Sequence, residues 1–470
     1  MITRSLSILV LAIGPACGAN DGSPFVDDTA EGEAGPASDP SGTGTGTLGD
    51  STAAGSDDPS GPDGTGDPSD TDGSTSTGAD DGGGDGIGEW EDAPGACPEG
   101  TVPIELATIE ELNAASRGEE PFVDPAPGTC YFILDGDYVG GEDPALYILH
   151  GGTAEQPIYW IGESREGVHI TGRMTIDQDA SHVVVSNLTL DLTGYENDEA
   201  FNTADIGEVQ DVALDHITFT GDCATGRDGG HIESNGAIDL RIEACIIERY
   251  GRCGPEGHQD HGIYLAGGTD ITIVNNVIRE NASRGIQMYT QGGMYGTLDG
   301  ITVLRNRIVA NGHGDQEDGI VINATGTGTI ANVSILHNLF HDNFFSGIRF
   351  AGPVTEAISV EFNTFANNSA GSSAEGRSEI NIDEAGTAAN ATITGNIFAV
   401  GNTLINDCYG AAAMGFSIED NIVDGPITGG DAGCVGAVIA EDPGFVDAAA
   451  GDFHTTNPAV ASYGAYAPAQ

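Results

Sequence analysis

The chain has 470 residues, including 72 glycines, 73 acidic residues and 14 basic residues, all of them arginine. A formal net charge of −59 excludes a nucleic-acid partner, because such binding depends on basic side chains that neutralise phosphates. The absence of lysine excludes mechanisms with a lysine nucleophile or base.

Residues 1–19 have the pattern of an export signal. The apolar stretch from Leu6 to Ile13 is too short to span a bilayer, which favours a cleaved signal peptide. Cys17 resembles the lipid-modified cysteine of bacterial lipoproteins, although the residue three positions before it departs from that pattern. Ordinary cleavage near Ala16 or Ala19 is the alternative. We expect an extracytoplasmic protein, either secreted or held at the cell surface or outer membrane through a lipid anchor alone.

Residues 20–96 are a linker by composition. Gly, Ser, Thr, Asp and Pro dominate this stretch, and it has almost no large apolar residue. Such a segment cannot bury enough surface to offset its chain entropy, so we predict disorder here. The folded domain is expected over residues 97–470.

A six-residue pattern, apolar-x-x-Asn-x-apolar, recurs through that domain at intervals typical of a repeat protein. Its fourth position is occupied by Asn276, Asn306, Asn338, Asn363, Asn396 and Asn421. An asparagine at one turn of every repeat can stack on the next amide and satisfy buried backbone groups. Two positions later, Phe340, Phe365 and Phe398 predict an internal aromatic stack.

Between these positions lies a second pattern, Gly-Ile followed by x-apolar. It occurs at Gly262-Ile263, Gly285-Ile286, Gly319-Ile320 and Gly347-Ile348. Short strands separated by Gly, Asn and Asp turns indicate a coiled parallel sheet, since helical repeats would need longer amphipathic runs. The sequence therefore predicts an all-β fold, a right-handed parallel β-helix with an N-terminal cap.

These motifs resemble the right-handed parallel β-helix superfamily, which includes pectate-lyase-like and chondroitinase-B-like proteins. The segments Asp135-Gly136-Asp137-Tyr138 and Gly151 to Ile158 look like the opening coils of chondroitinase-B-like and alginate-lyase-like members. The resemblance covers most of residues 98–470 and implies the fold. It is less specific for function, because the fold carries lyases, hydrolases, esterases and non-catalytic surface proteins.

The cysteines of the domain suggest three disulfide bonds. The candidate pairs, taken from neighbouring coils, are Cys97 with Cys130, Cys223 with Cys253, and Cys408 with Cys434. Cys245 occupies an asparagine position and is expected as a buried free thiol. A zinc site is the weaker alternative, since neither CxxC nor HExxH spacing occurs.

The chemically richest surface follows the Gly-Ile strands. Side chains after each Ile alternate outward, which predicts one row formed by Tyr264, Gln287, Val321, Arg349 and Asn381. Nearby positions supply the other candidates for substrate binding, which are Arg252, Asp260 and Tyr289. Asp315, Glu317 and Asp318 could bind calcium through oxygen ligands, although acidic loops are more often solvated. Calcium is the one cofactor that the sequence suggests.

We expect a monomeric protein directed at polysaccharides, most closely a lyase that cleaves uronic-acid polymers by β-elimination. That reaction needs a neutraliser for the sugar carboxylate, a base and an acid. Arg284 or Arg349 is the candidate neutraliser, His261 or His258 the base, and Tyr264 the acid. The lysine that many lyases of this superfamily use is absent. Paired-carboxylate hydrolysis fits less well, and a non-catalytic carbohydrate-binding adhesin or cell-envelope structural protein is the competing class.

Overall fold

The computed structural model describes residues 87–88, 90, 94–140, 144–194, 204–223, 229–253, 259–292, 296–312, 317–354, 356–368, 378–383, 390–399, 403–406, 415–424 and 438–468. The predicted signal peptide and Cys17 lie outside these residues, as do His258, Asp315, Cys408 and Cys434.

Three parallel sheets form the fold. Sheet A consists of Pro103–Leu106, Cys130–Ile133, Ile158–Gly162, Val183–Ser186, Gln210–Asp215, Ile238–Glu243, Gly268–Thr269, Thr272–Val274, Thr297–Leu304, Thr329–Leu336, Ile358–Glu361, Ala391–Thr394 and Phe416–Ile418. Sheet B consists of Gly136–Val139, Val168–Thr171, Thr189–Asp191, Thr218–Thr220, Ile246–Glu248, Val277–Arg279, Arg307–Val309, Leu339–His341, Thr364–Ala366, Ile397–Ala399, Asn421–Asp424 and Val438–Ala440. Sheet C consists of Leu146–Ile148, Met174–Ile176, Ala204–Ile206, Gly229–Ser234, Asp260–Ala266, Ile286–Thr290, Ile320–Ala324, Ile348–Phe350, Ser378–Ile382 and Thr403–Asn406.

The chain visits the sheets in the order A, B, C, and each complete turn is here called a coil. A coil adds one strand to every sheet, except that one coil gives sheet A the two short strands Gly268–Thr269 and Thr272–Val274. Alternate side chains point inward and give one continuous core of Ile, Val, Leu and Phe. The predicted phenylalanine stack is confirmed, with ring centroids 4.8 Å apart for Phe340 and Phe365 and 5.1 Å apart for Phe365 and Phe398. The all-β parallel solenoid is therefore the predicted fold.

The predicted asparagines form a column at the bend between sheets A and B. The Nδ2 atom of Asn276 donates to Oδ1 of Asn306 at 2.9 Å, and the same bond links each later member to the next as far as Asn421. Each of these side chains is buried, and Cys245 holds the equivalent position one coil earlier. The residue before each member adopts a positive φ, as at Asn275 with 58°, which makes the sharp turn. We call this column the first ladder.

A second asparagine column, absent from the sequence prediction, lies at the bend between sheets B and C. It contains Asn281, Asn311, Asn343 and Asn368, joined by amide hydrogen bonds of 2.9 to 3.1 Å. Glu379 ends this second ladder, because its Oε2 atom accepts a hydrogen bond from Asn368 Nδ2 at 2.6 Å. Every member stands five residues after a member of the first ladder, so a spacing rule in the sequence would have found it.

The N-terminal end of the solenoid is closed by a cap. The helix Ile109–Arg117 begins after Thr108, whose side chain accepts a hydrogen bond from Glu111 N, and ends at Gly118 with φ 64°. It buries Leu112 and Ala115 against the first coils. The Cys97–Cys130 disulfide ties the chain to the first sheet A strands.

Two terminal segments cover the outer side of sheet B. The C-terminal segment has a short hairpin, Phe445–Asp447 with Asp452–Thr455, around the 3₁₀ helix Ala448–Ala450, and it then packs Val460 against sheet B. Ile87 is buried beside Leu339 and Phe453.

Several residues that the sequence analysis assigned to the linker contact the solenoid, namely residues 87, 88, 90 and 95. Gly88 N donates to Asn275 Oδ1, Trp90 contacts Arg165 and His216, and Gly95 N donates to Glu163 O. Ile87 and Trp90 are large apolar residues at the end of an otherwise polar stretch, and burying them against the sheets stabilises this segment.

Two of the three predicted disulfides are present, Cys97–Cys130 and Cys223–Cys253. Cys245 is a buried free thiol, as predicted. The disulfides fit a location outside the cytoplasm, where such bonds persist. Within the described part of the chain, no helix has the length and apolar character needed to cross a membrane.

Candidate functional site

The predicted row of outward side chains exists on sheet C. Backbone register pairs Tyr264 with Gln287, Gln287 with Val321, Val321 with Arg349, and Arg349 with Asn381. We call these five residues the outer row. Tyr264, Gln287 and Arg349 are partly exposed, whereas Val321 and Asn381 are buried, which limits the contact that Asn381 can make with a substrate. The row continues upstream through Glu233 and Asp205.

The candidate residues divide into two groups along the row. Tyr264 and Arg349 are three coils apart, which at the strand spacing of a sheet is about 14 Å. Groups that act on one bond of one sugar must lie much closer together. The structure therefore brings Tyr264 and Arg349 onto one surface but not into one catalytic centre.

The first group surrounds Tyr264. His261 lies at the start of the same strand, with its ring centroid 5.7 Å from that of Tyr264, and it is only 3 % exposed. On the next coil, Tyr289 stacks on Tyr264 at 6.4 Å with an interplanar angle of 26°. This group is therefore mainly an aromatic surface with a buried imidazole beneath it.

Arg252 and Asp260 bind each other beside this group. Arg252 Nε and Nη2 donate to the two carboxylate oxygens of Asp260 at 2.8 Å each, and the backbone N of Arg252 donates at 2.8 Å as well. Asp260 is fully buried. The two side chains thus form a bidentate ion pair with each other, and their predicted role in substrate binding stays a prediction.

The second group is an array of acids and arginines that we call the acid–arginine cluster. Its members are Arg284, Glu317, Asp318, Arg349 and Asp383. Arg284 Nη2 lies 2.8 Å from Glu317 Oε1, and Arg349 Nη2 lies 2.8 Å from Asp383 Oδ2. Arg349 Nη1 lies 4.0 Å from Asp318 Oδ2.

The fold positions these side chains through the Gly-Ile strands. Arg284, Asp318 and Ser346 each precede a glycine of that pattern and lie on successive coils. Arg349 lies within the strand Ile348–Phe350, and Asp383 directly follows the strand Ser378–Ile382. Built Cβ atoms on Gly285 and Gly319 would lie 2.7 and 2.6 Å from the carbonyl oxygens of the next coil, so glycine is required where the coils approach most closely. The tight stacking that follows places the cluster's side chains beside one another.

Asp318 is the most perturbed group of the cluster. Its Oδ1 atom accepts a hydrogen bond from Ser346 N at 3.0 Å and another from Ser346 Oγ. Burial, together with the charge of Glu317, raises the pKa of Asp318 to about 7, against the opposing effects of Arg349, Ser346 and Arg284. A carboxyl group with such a pKa can gain or lose a proton near neutral pH.

Polar atoms without a partner collect at the same place. Among the described residues, Asp318 Oδ2, Glu317 Oε2 and Arg284 Nε are buried and make no hydrogen bond within the protein. Buried polar groups are normally satisfied, so these three atoms have hydrogen-bonding capacity that a ligand or water could use. Ser346 was not among the predicted residues, although its position directly before a glycine of the Gly-Ile pattern, shared with Arg284 and Asp318, is a signal that could have found it.

Oxygen atoms for a metal are few in this cluster. Glu317 Oε2 and Asp318 Oδ2 are candidates, whereas calcium takes six to eight oxygen ligands. Within the described ranges, no group of three or more His, Cys, Asp and Glu side chains is placed to hold a metal ion. Because Asp315 lies outside those ranges, calcium binding stays a prediction.

Comparison with known proteins places the fold. Residues 178–365 match the family model described as a right-handed beta helix region. No curated protein sequence matches the chain.

Several solved structures are similar at low identity. The A-module of mannuronan C-5 epimerase AlgE6 from Azotobacter vinelandii is 14% identical, covers 71% of this chain and 92% of its own, and has a TM-score of 0.42. An alginate lyase from Paenibacillus sp. str. FPU-7 is 16% identical over 72% of this chain and 98% of its own, with a TM-score of 0.34. PfbA, a surface adhesin of Streptococcus pneumoniae, is 12% identical over 67% of this chain and 83% of its own, with a TM-score of 0.34.

The family match and the stacked parallel sheets agree with the resemblance found in the sequence. The described residues form an all-β parallel β-solenoid, and residues 178–365 match the right-handed beta helix model.

Proposed function

We propose that the chain is a polysaccharide lyase-like protein and that the acid–arginine cluster is its catalytic centre. In this proposal Asp318 is the base that removes the C5 proton of a uronic-acid residue, and Arg349 neutralises the carboxylate on that carbon. The observation that carries it is the 4.0 Å separation between Arg349 Nη1 and Asp318 Oδ2. The proton removed in β-elimination is on the carbon next to the carboxylate, so the base and the neutralising group must be close neighbours.

The bonding changes of the proposed step can be stated fully. The Asp318 carboxylate accepts the C5 proton, a double bond forms between C4 and C5, and the bond from C4 to the leaving oxygen breaks. That oxygen then takes up a proton, which the protonated Asp318 can return. Tyr264 is too far along the outer row to act as the acid at this centre. The predicted roles of His261 and Tyr264 in catalysis are therefore replaced by Asp318 in this proposal.

Hydrolysis is less compatible with the same geometry. A glycoside hydrolase needs two carboxyl groups that flank the glycosidic bond and are available to act as acid and base or nucleophile. Glu317 Oε1 and Asp383 Oδ2 are each bound to an arginine. A proton abstraction that uses one carboxyl group and one arginine fits this arrangement more closely.

A second candidate function is that of a non-catalytic carbohydrate-binding adhesin or cell-envelope protein. One observation favours it, which is that Asp318 has no exposed surface. Catalysis at Asp318 requires neighbouring side chains to shift when substrate binds, and contacts in active sites often change in this way on substrate binding. Export through residues 1–19, a lipid anchor at Cys17 and a monomeric state complete the proposal under either function.

The test is an assay of the purified full chain with alginate, pectate and chondroitin, with and without calcium, read as the absorbance of unsaturated uronate. We expect product from at least one polymer and a loss of about 100-fold or more in kcat/KM for Asp318→Asn and for Arg349→Gln. Arg279→Gln is the matched control, since Arg279 pairs with Glu248 on sheet B and should leave turnover unchanged. Absence of product with every polymer would support the adhesin function.

A further inference from the structure

Two tyrosines form a partly exposed aromatic surface at one end of the outer row. Tyr264 and Tyr289 come from neighbouring coils and stack with their centroids 6.4 Å apart. The Tyr289 hydroxyl lies 3.3 Å from Thr325 Oγ1 on the following coil, which orients its ring. Tyrosine rings have an apolar face and a polar hydroxyl at the edge. They suit ligands such as pyranose rings, which likewise have apolar C–H groups and polar hydroxyl groups.

The outer row places Tyr264 at a fixed distance from Arg349 of the acid–arginine cluster. Tyr264 is three coils from Arg349, or about 14 Å, and Gln287 and Val321 lie between them. Neighbouring coils are about 4.8 Å apart, a spacing similar to the length of one sugar residue in an extended glycan that runs along the solenoid axis. A chain bound at Arg349 therefore needs about three further sugar residues before it reaches Tyr264.

We propose that Tyr264 and Tyr289 form a distal sugar-binding subsite, separate from the catalytic centre, that selects oligosaccharides of about four residues or more. This inference rests on the proposed function of the acid–arginine cluster. Gln287 lies between the two sites and its Oε1 atom accepts a hydrogen bond from Arg284 Nη1, so the guanidinium of Arg284 connects the two regions. Tyr264 is thereby a specificity-determining residue and not a proton donor.

The experiment measures affinity for uronate oligomers of two to six residues by calorimetry. It uses the full chain carrying Asp318→Asn, which retains a side-chain oxygen to accept the hydrogen bonds from Ser346 and removes the proposed base. We expect the Kd to fall by about 10-fold between the trimer and the pentamer. Adding Tyr264→Ala should abolish that gain while leaving the affinity for the dimer unchanged. Tyr264→Phe should keep the gain, because the ring face is preserved.

The outcomes separate the subsite from the catalytic proposal. Equal length dependence with and without Tyr264→Ala would overturn the subsite, and so would a Tyr264→Ala variant that loses affinity for the dimer as well. A wild-type chain that shows the Tyr264-dependent gain but releases no unsaturated product would refute the lyase proposal and leave the subsite in place. In turnover assays, a loss of kcat at unchanged affinity in Tyr264→Phe would make Tyr264 a catalytic residue and overturn the subsite.

Discussion

Individual residues acquire their chemistry here from the neighbours that the coils stack beside them. Asp318 is part of an acidic run in the sequence, Glu317-Asp318, that by composition resembles a solvated loop. In the fold it is fully buried, hydrogen-bonded to Ser346 and close to Arg349. Burial raises the pKa of Asp318 to about 7, so this carboxyl group and not a histidine is the titrating group proposed for catalysis.

The raised pKa of Asp318 predicts the pH dependence of activity. A base must be deprotonated to act, so kcat/KM should rise with pH and level off above an apparent pKa near 7. Initial rates measured from pH 5 to pH 9 at constant ionic strength check this expectation. A rate that falls as pH rises through 7 would instead identify a group that acts as an acid.

Glu379 is the other buried acid with a strongly shifted pKa. Burial raises the pKa of Glu379 to about 8, although hydrogen bonds from Asn368 lower it in part. Since its folded-state pKa lies above the unfolded value, the folded protein binds an extra proton between about pH 4.5 and pH 8. The stability that Glu379 contributes is therefore greatest below this window and decreases as the pH rises through it.

Replacing Glu379 by Gln should remove this dependence. The amide oxygen of Glu379→Gln can still accept the hydrogen bond from Asn368, but it carries no charge. Wild type should lose of the order of a few kcal/mol of unfolding free energy, relative to Glu379→Gln, when the pH changes from 5 to 8.5. Urea midpoints at both pH values measure the difference, and Glu356→Gln at an exposed position is the control. If the unfolding free energies of wild type and Glu379→Gln changed in parallel with pH, the pKa of Glu379 would not be raised by folding.

At the level of secondary-structure elements, the two asparagine ladders set the bends between sheets. Much of the first ladder could be predicted because each asparagine recurs at the same position within an apolar frame. The second ladder obeys the same physics, yet the residues around Asn281 and Asn311 do not repeat the apolar frame, so the pattern was missed. Glu379 could not be predicted as its end, because that role depends on a hydrogen bond to Asn368 from eleven residues away.

The first ladder should be sensitive to a single truncation. Asn306 Oδ1 accepts hydrogen bonds from the backbone N and the Nδ2 of Asn276, and its own Nδ2 donates to Ile273 O and Asn338 Oδ1. Asn306→Ala leaves these buried groups without partners, and we expect a loss of about 3 kcal/mol or more in unfolding free energy. Denaturant unfolding measures the loss, with Ser334→Ala on the outer side of sheet A as the control at about 0.5 kcal/mol or less. Equal small losses for both variants would contradict a stabilising ladder.

At the scale of the whole molecule, the solenoid could be predicted from the sequence, but the two terminal segments that cover the outer side of sheet B could not. Strand positions, the outer row and the phenylalanine stack follow from periodicities that are local in the sequence. The contact of Ile87 with Phe453 joins residues from opposite ends of the chain, and no local pattern encodes it. No local pattern predicts the acid–arginine cluster either. Arg284 and Glu317 are 33 residues apart and meet only because their coils are stacked.

The net charge of −59 predicts how salt affects binding of a uronate polymer. At about 10 mM salt the screening length is roughly 30 Å, so the negative chain repels a negative glycan, whereas at about 150 mM it is roughly 8 Å. Affinity for a uronate oligomer should therefore increase between these two salt concentrations, as measured by calorimetry. A neutral oligosaccharide of the same length is the control and should bind equally in both. Affinity that decreases with salt would show that local positive charge dominates over the net charge.

The N-terminal segment determines how the folded domain responds to a pulling force. From Cys97 toward Ile87 this segment passes along successive coils, with contacts to Glu163, His216 and Asn275 on the way. We expect a force applied at Ile87 to act first on the contacts of Ile87 and Gly88 with later coils, while the Cys97–Cys130 bond keeps the chain attached to the first sheet A strands.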